Sequence, residues 1–455
     1  MTARLPVAPR ALLVAAAIPL LFLHSEFQPS VSVRIGSTSV DAYLSDFAVL
    51  AVVVAAAAVA LRTGVRPLAP ARVLWIVAAA FFVWLLFEVA WGQHTTAGYA
   101  TSTHLVTALK FLEYALLAPA VVLLLRTRSD LLTAFWSLAV WSCCATGVGI
   151  AEFFGSSVGA KGTVGHRQAS FLSSADFAAL SAAALLLGLL AIGVPRLRLP
   201  QPLAVVALVT GVLGTIVAGA VASVLGIATA LLVAAVVAIA RRELAVRRAA
   251  VAALVAVVAA AGVVVIRGHD LSAFARFLGA SSDTTEQPQT RVQTYSHRTL
   301  LVWIGYRIWR DQPLLGVGWE GSAEPGAFLR YVPAARDRFP NEAPLAFPSA
   351  APDRRYGVQN VWVQALADLG VVGCALWATV FAVAAWLAVR THALIALAWI
   401  GLLVWLWSAQ GFVAGIPLDA LTWLAFGLAR SVGGEAADAG PGDPGASARV
   451  AAVRE

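Results

Sequence analysis

The sequence predicts an all-α fold, a polytopic transmembrane bundle of about 12 helices with one long loop that contains an amphipathic helix. Hydrophobic residues make up 60% of the chain and charged residues only 12%, whereas a soluble domain is roughly 25% charged. Apolar stretches of roughly 18–22 residues recur along the chain, and each is long enough to cross a hydrocarbon core about 30 Å thick. Because lipid cannot satisfy backbone polar groups, these stretches must be helical.

The predicted spans divide the chain into four parts. Nine helices occupy 1–266, an arginine-rich loop occupies 267–359, three helices occupy 360–430, and 431–455 is a polar tail that we expect to be disordered. The predicted helices are, in order, 8–24, 43–61, 71–91, 104–125, 131–152, 172–194, 202–218, 220–240, 249–266, 360–388, 393–413 and 415–430.

The distribution of arginines predicts the orientation of the bundle. The net charge of +8 would suit a nucleic-acid partner, but the arginines gather in alternate short connections between spans, such as 241–248. The opposite short connections hold only Arg34, Lys161 and Arg167. By the positive-inside rule, both termini are cytoplasmic and the 267–359 loop is extracytoplasmic.

The N-terminal segment could be a cleaved signal peptide or a retained helix, and the cysteines could form disulfides or bind a metal. Arg4 and Arg10 precede a short apolar core, as in a signal peptide, but Leu-His-Ser-Glu-Phe follows in place of a small-residue cleavage site. That sequence favours a helix that is retained. Cys143, Cys144 and Cys374 fall inside predicted spans, so we expect neither a disulfide framework nor a metal site.

Within the long loop, one segment has helical periodicity. Leu300, Leu301, Ile304 and Ile308 recur at helical spacing with arginines between them, which predicts an amphipathic helix over 296–311. Such a helix would lie on the membrane surface or cap the bundle. Residues 270–279 also have some helical character, and we expect 321–357 to be an irregular but ordered loop.

The arginines on the predicted outer face indicate an anion site. Their planar guanidinium groups suit bidentate contacts with phosphate oxygens. An ordinary solvated loop of an arginine-rich chain would have the same composition. The candidate substrate-binding arginines are Arg167, Arg291, Arg307, Arg354 and Arg355.

Charged residues inside predicted spans are a second candidate. Lys110 and Glu113 lie three residues apart and share a helix face, which is consistent with a structural ion pair. Alternatively, an outward-facing Lys110 would help to bind a pyrophosphate. Glu88 would either join the same cavity or lie at the membrane interface.

Several motifs resemble the O-antigen ligase and polymerase family. They are the segment from Tyr295-Ser-His-Arg to Leu-Leu-Gly-Val-Gly318, and Gln359-Asn360 followed after nine residues by Gly370-x-x-Gly373. Val33-Arg-Ile-Gly, Tyr43-Leu-Ser-Asp46 and the stretch that begins at Lys110 are also similar to the family. The resemblance implies a twelve-helix glycosyltransferase in the cytoplasmic (inner) membrane of a bacterium, with no metal or other cofactor. Such an enzyme moves a glycan from undecaprenyl pyrophosphate, a polyprenyl-pyrophosphate carrier, to a hydroxyl on a lipid or a growing glycan.

The resemblance also implies site residues, with two departures. Arg298, Arg167 and Asn360 match, but Gln359 occupies the position of the family histidine and cannot act as a base near neutral pH. The family arginine near the start of the eighth span is also missing, at Ala220-Val221. The predicted catalytic residues are therefore Arg298, Gln359, Asn360 and His297, and the candidate substitute bases are His297, Glu320, Glu324 and Asp353.

Three functions remain open from the sequence. The first is a polysaccharide ligase or polymerase, and the second is a non-catalytic relative that binds lipid-linked glycan or scaffolds other glycan-assembly proteins. The third is a transporter or flippase, which paired broken helices and midplane polar residues would favour. The polar residues of this chain gather instead in one loop. The expected partners are the glycan donor, its acceptor and membrane lipids, and no nucleic acid.

Overall fold

The computed structural model describes residues 9–35, 38–156, 158, 167–277, 294–340, 357–412 and 416–430. Over these residues it confirms an all-α membrane bundle, with nine helices long and apolar enough to span a membrane and three shorter apolar helices. The helices are α1 (Pro9–Leu21), α2 (Leu44–Thr63), α3 (Arg72–Thr95), α4 (Thr101–Ala115), α5 (Leu117–Leu124), α6 (Arg128–Phe153), α7 (Ser174–Gly193), α8 (Gln201–Ala218), α9 (Val221–Ala240), α10 (Val246–Phe277), α11 (Thr294–Asp311), α12 (Pro325–Phe328), α13 (Val332–Arg338), α14 (Val361–Arg390), α15 (Leu394–Trp407) and α16 (Ile416–Leu428).

Each predicted span corresponds to a helix, and α4 with α5 forms the fourth. The tail at 431–455 lies outside the described residues. The ninth span is longer than predicted, because α10 continues past residue 266 to Phe277. This extension confirms the helical character seen in the sequence from 270 onward.

Helix α7 forms the centre of the bundle and α10 lies at its edge. In the most apolar window of each helix, 83% of the α7 residues are buried, compared with 17% in α10. Helix α7 packs against α8, α10 and α15. Because α7 is surrounded by other helices, its first turn is held in a fixed position. That turn contributes residues to the candidate functional site.

A β-hairpin precedes α2 and was not predicted. Strands β1 (Ser30–Ile35) and β2 (Thr38–Tyr43) are antiparallel, with Val33 opposite Val40 and Ser30 opposite Tyr43. The hairpin lies beside α2 and α4. It therefore brings backbone groups to the same end of α4 that carries Lys110.

The predicted amphipathic helix is confirmed as α11. The four apolar residues of its pattern, Leu300, Leu301, Ile304 and Ile308, are all at most 3% exposed. They pack with Phe328 and with residues of α13 in a small core separate from the main one. Helix α11 also contacts α14, so it caps the bundle. The expectation of an irregular loop over 321–357 was wrong for 325–338, where α12 and α13 form because their apolar residues cover the face of α11.

Candidate functional site

A cavity of about 370 Å³ lies where the first turns of α7, α9 and α11 approach α10 and the end of α15. Three arginines line it: Arg167 before α7, Arg267 in α10 and Arg298 in α11. Asp176 and Gln359 also line it. The site therefore assembles charged groups that are far apart in the sequence. We refer to it as the arginine cavity.

Arg167 and Arg267 approach the same point at the end of α8. A Cβ atom on Gly219 would lie 3.5 Å from Cγ of Arg167 and 3.6 Å from Cδ of Arg267. Arg267 is only 1% exposed. Arg167 donates a hydrogen bond from Nη2 to Oγ of Ser174, over 2.7 Å, so the start of α7 holds it in place. These two guanidinium groups form one side of the cavity.

The first turn of α9 adds a further positive contribution. Ala220 is the N-cap of α9, and its methyl group cannot accept a hydrogen bond from the first backbone N–H groups of the helix. Residues 219–222 line the cavity. Because unsatisfied N–H groups and the helix dipole make a helix start attractive to anions, this wall complements the arginines.

On the opposite side, Arg298 contacts Gln359. Nε of Arg298 donates to Oε1 of Gln359 over 3.2 Å. Since the amide oxygen accepts this bond, Nε2 of Gln359 is the end of the side chain that donates to other groups. Gln359 is exposed and lines the cavity, where its Nε2 could donate a hydrogen bond, but its amide is not a base.

Asn360 fixes the position of Gln359. Its Oδ1 caps α14 by accepting from N of Val363 over 3.1 Å, and its Nδ2 donates to the carbonyl oxygen of Ser408 over 2.9 Å. Asn360 thus joins the start of α14 to the end of α15. This arrangement gives Asn360 a positioning role, while Ser408 itself lines the cavity.

The glycines of the two motifs bring their backbones together. N of Gly318 donates to the carbonyl oxygen of Asp368, and N of Val371 donates to that of Pro313, each over 2.9 Å. Gly370 has φ +65°, and a Cβ there would lie 2.0 Å from the carbonyl oxygen of Leu314. Only glycine allows this contact, which kinks α14 and docks the loop after α11 against it.

Another polar cluster is buried beside α3 and α4. The ring of His104 contacts two glutamates, with Nδ1 3.3 Å from Oε2 of Glu320 and Nε2 2.7 Å from Oε1 of Glu324. Thr107 donates to the same Glu320 oxygen over 3.1 Å. His104, Glu320 and Glu324 are 0%, 4% and 6% exposed, so these groups pair with one another away from the arginine cavity. Oε1 of Glu320 has no hydrogen-bond partner among the described residues. We refer to these residues as the His104 cluster.

Tyr99 covers the His104 cluster. Its ring stacks on that of His104 at a centroid distance of 4.2 Å, and its hydroxyl donates to the carbonyl oxygen of Trp319 over 2.8 Å. Burial, with a smaller contribution from nearby carboxylates, raises the pKa of Tyr99. The phenol therefore remains a neutral donor.

Lys110 lies outside the arginine cavity, and its ion-pair partner is Asp46 rather than Glu113. Nζ of Lys110 is 3.0 Å from Oδ2 of Asp46 and donates to the carbonyl oxygen of Asp41 over 2.6 Å. The predicted shared face is present, because Lys110 and Glu113 both line a second cavity of about 290 Å³. The hairpin and the helix start that follows it explain the change of partner, since β2 brings Asp41 and the first turn of α2 brings Asp46 to Lys110.

The remaining predicted residues lie elsewhere. His297 precedes Arg298 in α11 but does not line the arginine cavity, and Arg307 stacks on the ring of Trp303 at 5.6 Å. Glu88 is fully buried, and its carbonyl oxygen approaches Gly318 rather than the arginine cavity. The other candidates, Arg291, Asp353, Arg354 and Arg355, lie outside the described residues. In the part of the chain that the structure describes, no group of three or more His, Cys, Asp or Glu side chains could hold a metal ion.

Sequence reasoning missed Arg267 and Asp176. Arg267 lies at the end of an apolar span, where an arginine usually marks the membrane boundary. The structure places it against residues 219–222, so it supplies a guanidinium group beside Ala220-Val221, where the resemblance implies an arginine. Asp176 follows Ser173 by three residues, a spacing typical of a helix start. This capping pattern accounts for the residue, so the sequence does not indicate that Asp176 also lines the arginine cavity.

Comparison with known protein families supports the resemblance. Residues 203–378 match the family model described as O-antigen ligase, and this match confirms the prediction of an O-antigen ligase-like family. It indicates a cell-envelope polysaccharide ligase or polymerase family, and with the apolar helices it indicates a multi-pass protein of the bacterial inner membrane. Among curated proteins, none matches the chain.

Proposed function

Starting from this O-antigen ligase-like assignment, we propose that the protein transfers a glycan from a polyprenyl-pyrophosphate carrier to an acceptor hydroxyl at the outer face of the cytoplasmic membrane. The observation that carries the proposal is that three arginines and several apolar side chains line one cavity. A substrate with an anionic head and a long apolar chain matches both parts.

The anionic part of the substrate has several partners. Arg167, Arg267 and Arg298 present guanidinium groups that suit the oxygens of a pyrophosphate, and the first turn of α9 faces the same volume. In the transfer step, negative charge develops on the departing pyrophosphate. Donors fixed around that charge stabilise the transition state, so leaving-group stabilisation supplies a large part of the rate in this proposal.

The apolar part of the substrate has a route from the bilayer. Leu225 of α9 and Trp405 of α15 line the cavity and are 41% and 36% exposed. Trp405 is held in place, because its Nε1 donates to Oγ1 of Thr229 over 2.8 Å. We place the polyprenyl chain between α9 and α15, where it would remain in lipid while its pyrophosphate reaches the arginines.

The test of this function begins with binding. We would measure the affinity of the purified protein, in nanodiscs, for undecaprenyl pyrophosphate. Arg298→Ala should weaken binding about 10-fold or more, since a hydrogen bond to a charged group contributes roughly 1.5–3 kcal/mol. Arg298→Lys should be intermediate, because lysine keeps the charge but loses the planar fork.

A matched control lies in the same helix. Arg310 is exposed and lies outside the cavity, so Arg310→Ala removes an equal charge from α11 and should leave binding unchanged. Equal losses for Arg298→Ala and Arg310→Ala would show a non-specific effect of charge and contradict the proposed site.

Catalysis is tested with a lipid-linked glycan and acceptors presented in membranes. Formation of a glycan–acceptor product by the wild type, lost in Arg298→Ala, supports the proposed function. Binding without a product would favour the non-catalytic glycan-binding alternative. Movement of the intact lipid-linked glycan between leaflets would favour a transporter.

The proposed orientation is tested by labelling. In a variant whose native cysteines are replaced, Arg310→Cys should react with a membrane-impermeant thiol reagent in intact cells, whereas Arg247→Cys should not. These residues belong to α11 and to the start of α10, on connections that we place on opposite sides of the membrane. The reverse pattern would put the arginine cavity on the cytoplasmic side.

A further inference from the structure

Asp176 is a carboxylate that lines the arginine cavity, and the proposed transfer has no assigned base. We propose that Asp176 accepts the proton of the acceptor hydroxyl. This inference rests on the proposed function and adds to it the residue that activates the nucleophile.

The two carboxylate oxygens of Asp176 have different environments. Oδ2 accepts a hydrogen bond from Oγ of Ser173 over 2.6 Å, which orients the side chain at the start of α7. Oδ1 accepts no hydrogen bond from the residues that the structure describes. The residue is only 4% exposed, yet it lines the cavity. The carboxylate is therefore held by one oxygen and presents the other to the volume that the substrates would occupy.

The other candidate bases are less well placed. Gln359 lines the cavity but has no basic atom. Both Glu320 and Glu324 contact His104 in the separate buried cluster. Asp176 thus combines a proton-accepting group with a position in the anion site.

The proposed step balances as follows. The acceptor hydroxyl gives its proton to Oδ1 of Asp176 while its oxygen forms a bond to the anomeric carbon of the donor glycan. The bond from that carbon to the pyrophosphate oxygen breaks, and the electron pair leaves with the polyprenyl pyrophosphate. Arg167, Arg267 and Arg298 stabilise the charge on this leaving group. Asp176 afterwards releases its proton to water, and no oxidant or reductant is needed.

The charges around Asp176 come from several elements. The three arginines share its cavity, and Asp419 of α16 is close enough to repel it electrostatically. Because arginines stay charged at all ordinary pH values, changes of activity with pH near neutrality will report the carboxylates and the substrates.

The test compares three variants in the transfer assay. Asp176→Asn should lower the transfer rate by about 10²–10⁴-fold, the usual contribution of a general base, and should not weaken the affinity for undecaprenyl pyrophosphate, because it removes a negative charge from the anion site. Asp176→Glu keeps the carboxylate on a longer arm and should retain part of the rate. Ser173→Ala removes the orienting hydrogen bond but keeps the base, so its rate should fall far less than that of Asp176→Asn.

Two further measurements separate catalysis from folding. Thermal unfolding in detergent should show a melting temperature for Asp176→Asn that is no lower than that of Ser173→Ala, because asparagine keeps an oxygen that can accept from Ser173, whereas Ser173→Ala also loses the cap on N of Asp176. Added formate should partly restore transfer by Asp176→Ala, since a small carboxylate can replace a missing base but cannot restore a helix start.

The outcomes distinguish this inference from the proposed function. Transfer by Asp176→Asn at the wild-type rate overturns the inference alone. Equal loss of rate in Asp176→Asn and Ser173→Ala, with no rescue by formate, makes the residue structural and also overturns it. Absence of both binding and transfer in the wild type overturns the proposed function and the inference together.

Discussion

The arginine cavity and the His104 cluster both place charged side chains inside a membrane bundle. They differ in how those charges are stabilised. In the His104 cluster, unlike groups lie in direct contact, with Nε2 of His104 2.7 Å from Oε1 of Glu324. In the arginine cavity, three arginines and one carboxylate, Asp176, line an open volume of about 370 Å³. The His104 cluster stabilises its buried charges by pairing, whereas the open volume and the excess of positive charge in the arginine cavity suit an anionic ligand.

Helix α14 connects these two regions. Oδ1 of Asp368 accepts from N of Ser322, next to the His104 cluster, over 2.8 Å. Its Oδ2 accepts from Gln364 over 3.0 Å, and Oε1 of Gln364 accepts from N of Phe412 over 2.9 Å. Phe412 follows the 405–410 segment, most of which lines the arginine cavity. A substitution at the kink of α14 should therefore disturb both regions. A substitution within one region should leave the other region undisturbed.

The largest effect is expected at Gly370. Valine there would require φ +65° and place its Cβ 2.0 Å from the carbonyl oxygen of Leu314. For a β-branched residue this conformation is strained even without the clash. We expect Gly370→Val to cost more than about 4 kcal/mol and to abolish recovery of folded protein by fluorescence-detected size exclusion.

The control for this prediction is Gly357→Ala. Gly357 is exposed, and no atom lies within 4 Å of the position that its Cβ would take. This variant should be recovered like the wild type. A monodisperse, thermally stable Gly370→Val protein would mean that the contact between the loop and α14 does not hold the two regions together.

The second effect separates the regions. His104→Ala leaves Glu320 and Glu324 buried without their common partner, and removing one member of a buried charge pair costs about 3–5 kcal/mol. The melting temperature should fall clearly, while the affinity of the folded fraction for undecaprenyl pyrophosphate should stay unchanged. His94→Ala, at an exposed position of α3, should change neither quantity. A loss of affinity with normal stability would make the His104 cluster part of the binding site.

The comparison also shows what the sequence can predict. The nine long apolar helices and the three shorter ones were predictable because lipid demands apolar helices, and α11 was predictable because its apolar residues repeat at helical spacing. The hairpin was not, since its strands of six residues are short and their pairing depends on α2 and α4. Local signals thus define the helices, while contacts between distant segments define the rest.

The candidate site was only partly predictable for the same reason. Arg298, Gln359 and Asn360 lie in recognisable motifs, and two of them contact each other directly. Arg267 carries no such signal, because its environment is created by the end of α8, more than forty residues earlier. The partner of Lys110 was missed likewise, since Asp46 is 64 residues away and reaches Lys110 beside the hairpin.

The smallest effect is expected at Gln359. Its amide oxygen accepts from Nε of Arg298 over 3.2 Å, and its Nε2 is the end that can donate to the substrate. Gln359→Ala removes both contacts, and because one such bond contributes roughly 0.5–1.5 kcal/mol, we expect transfer to fall by about 10-fold or less. Gln359→His should retain or raise the rate, since a histidine titrates near neutral pH and offers a second proton acceptor beside Asn360. In Gln359→Glu, a carboxylate would pair with Arg298 and compete with the pyrophosphate, so binding should weaken although the size of the side chain is unchanged.

Measured together, the transfer rates and affinities of these variants test whether Gln359 belongs to the anion site. If Gln359→Ala and Gln359→Glu both behave as the wild type, Gln359 lies outside the working part of the arginine cavity, and its contact with Arg298 only positions the arginine.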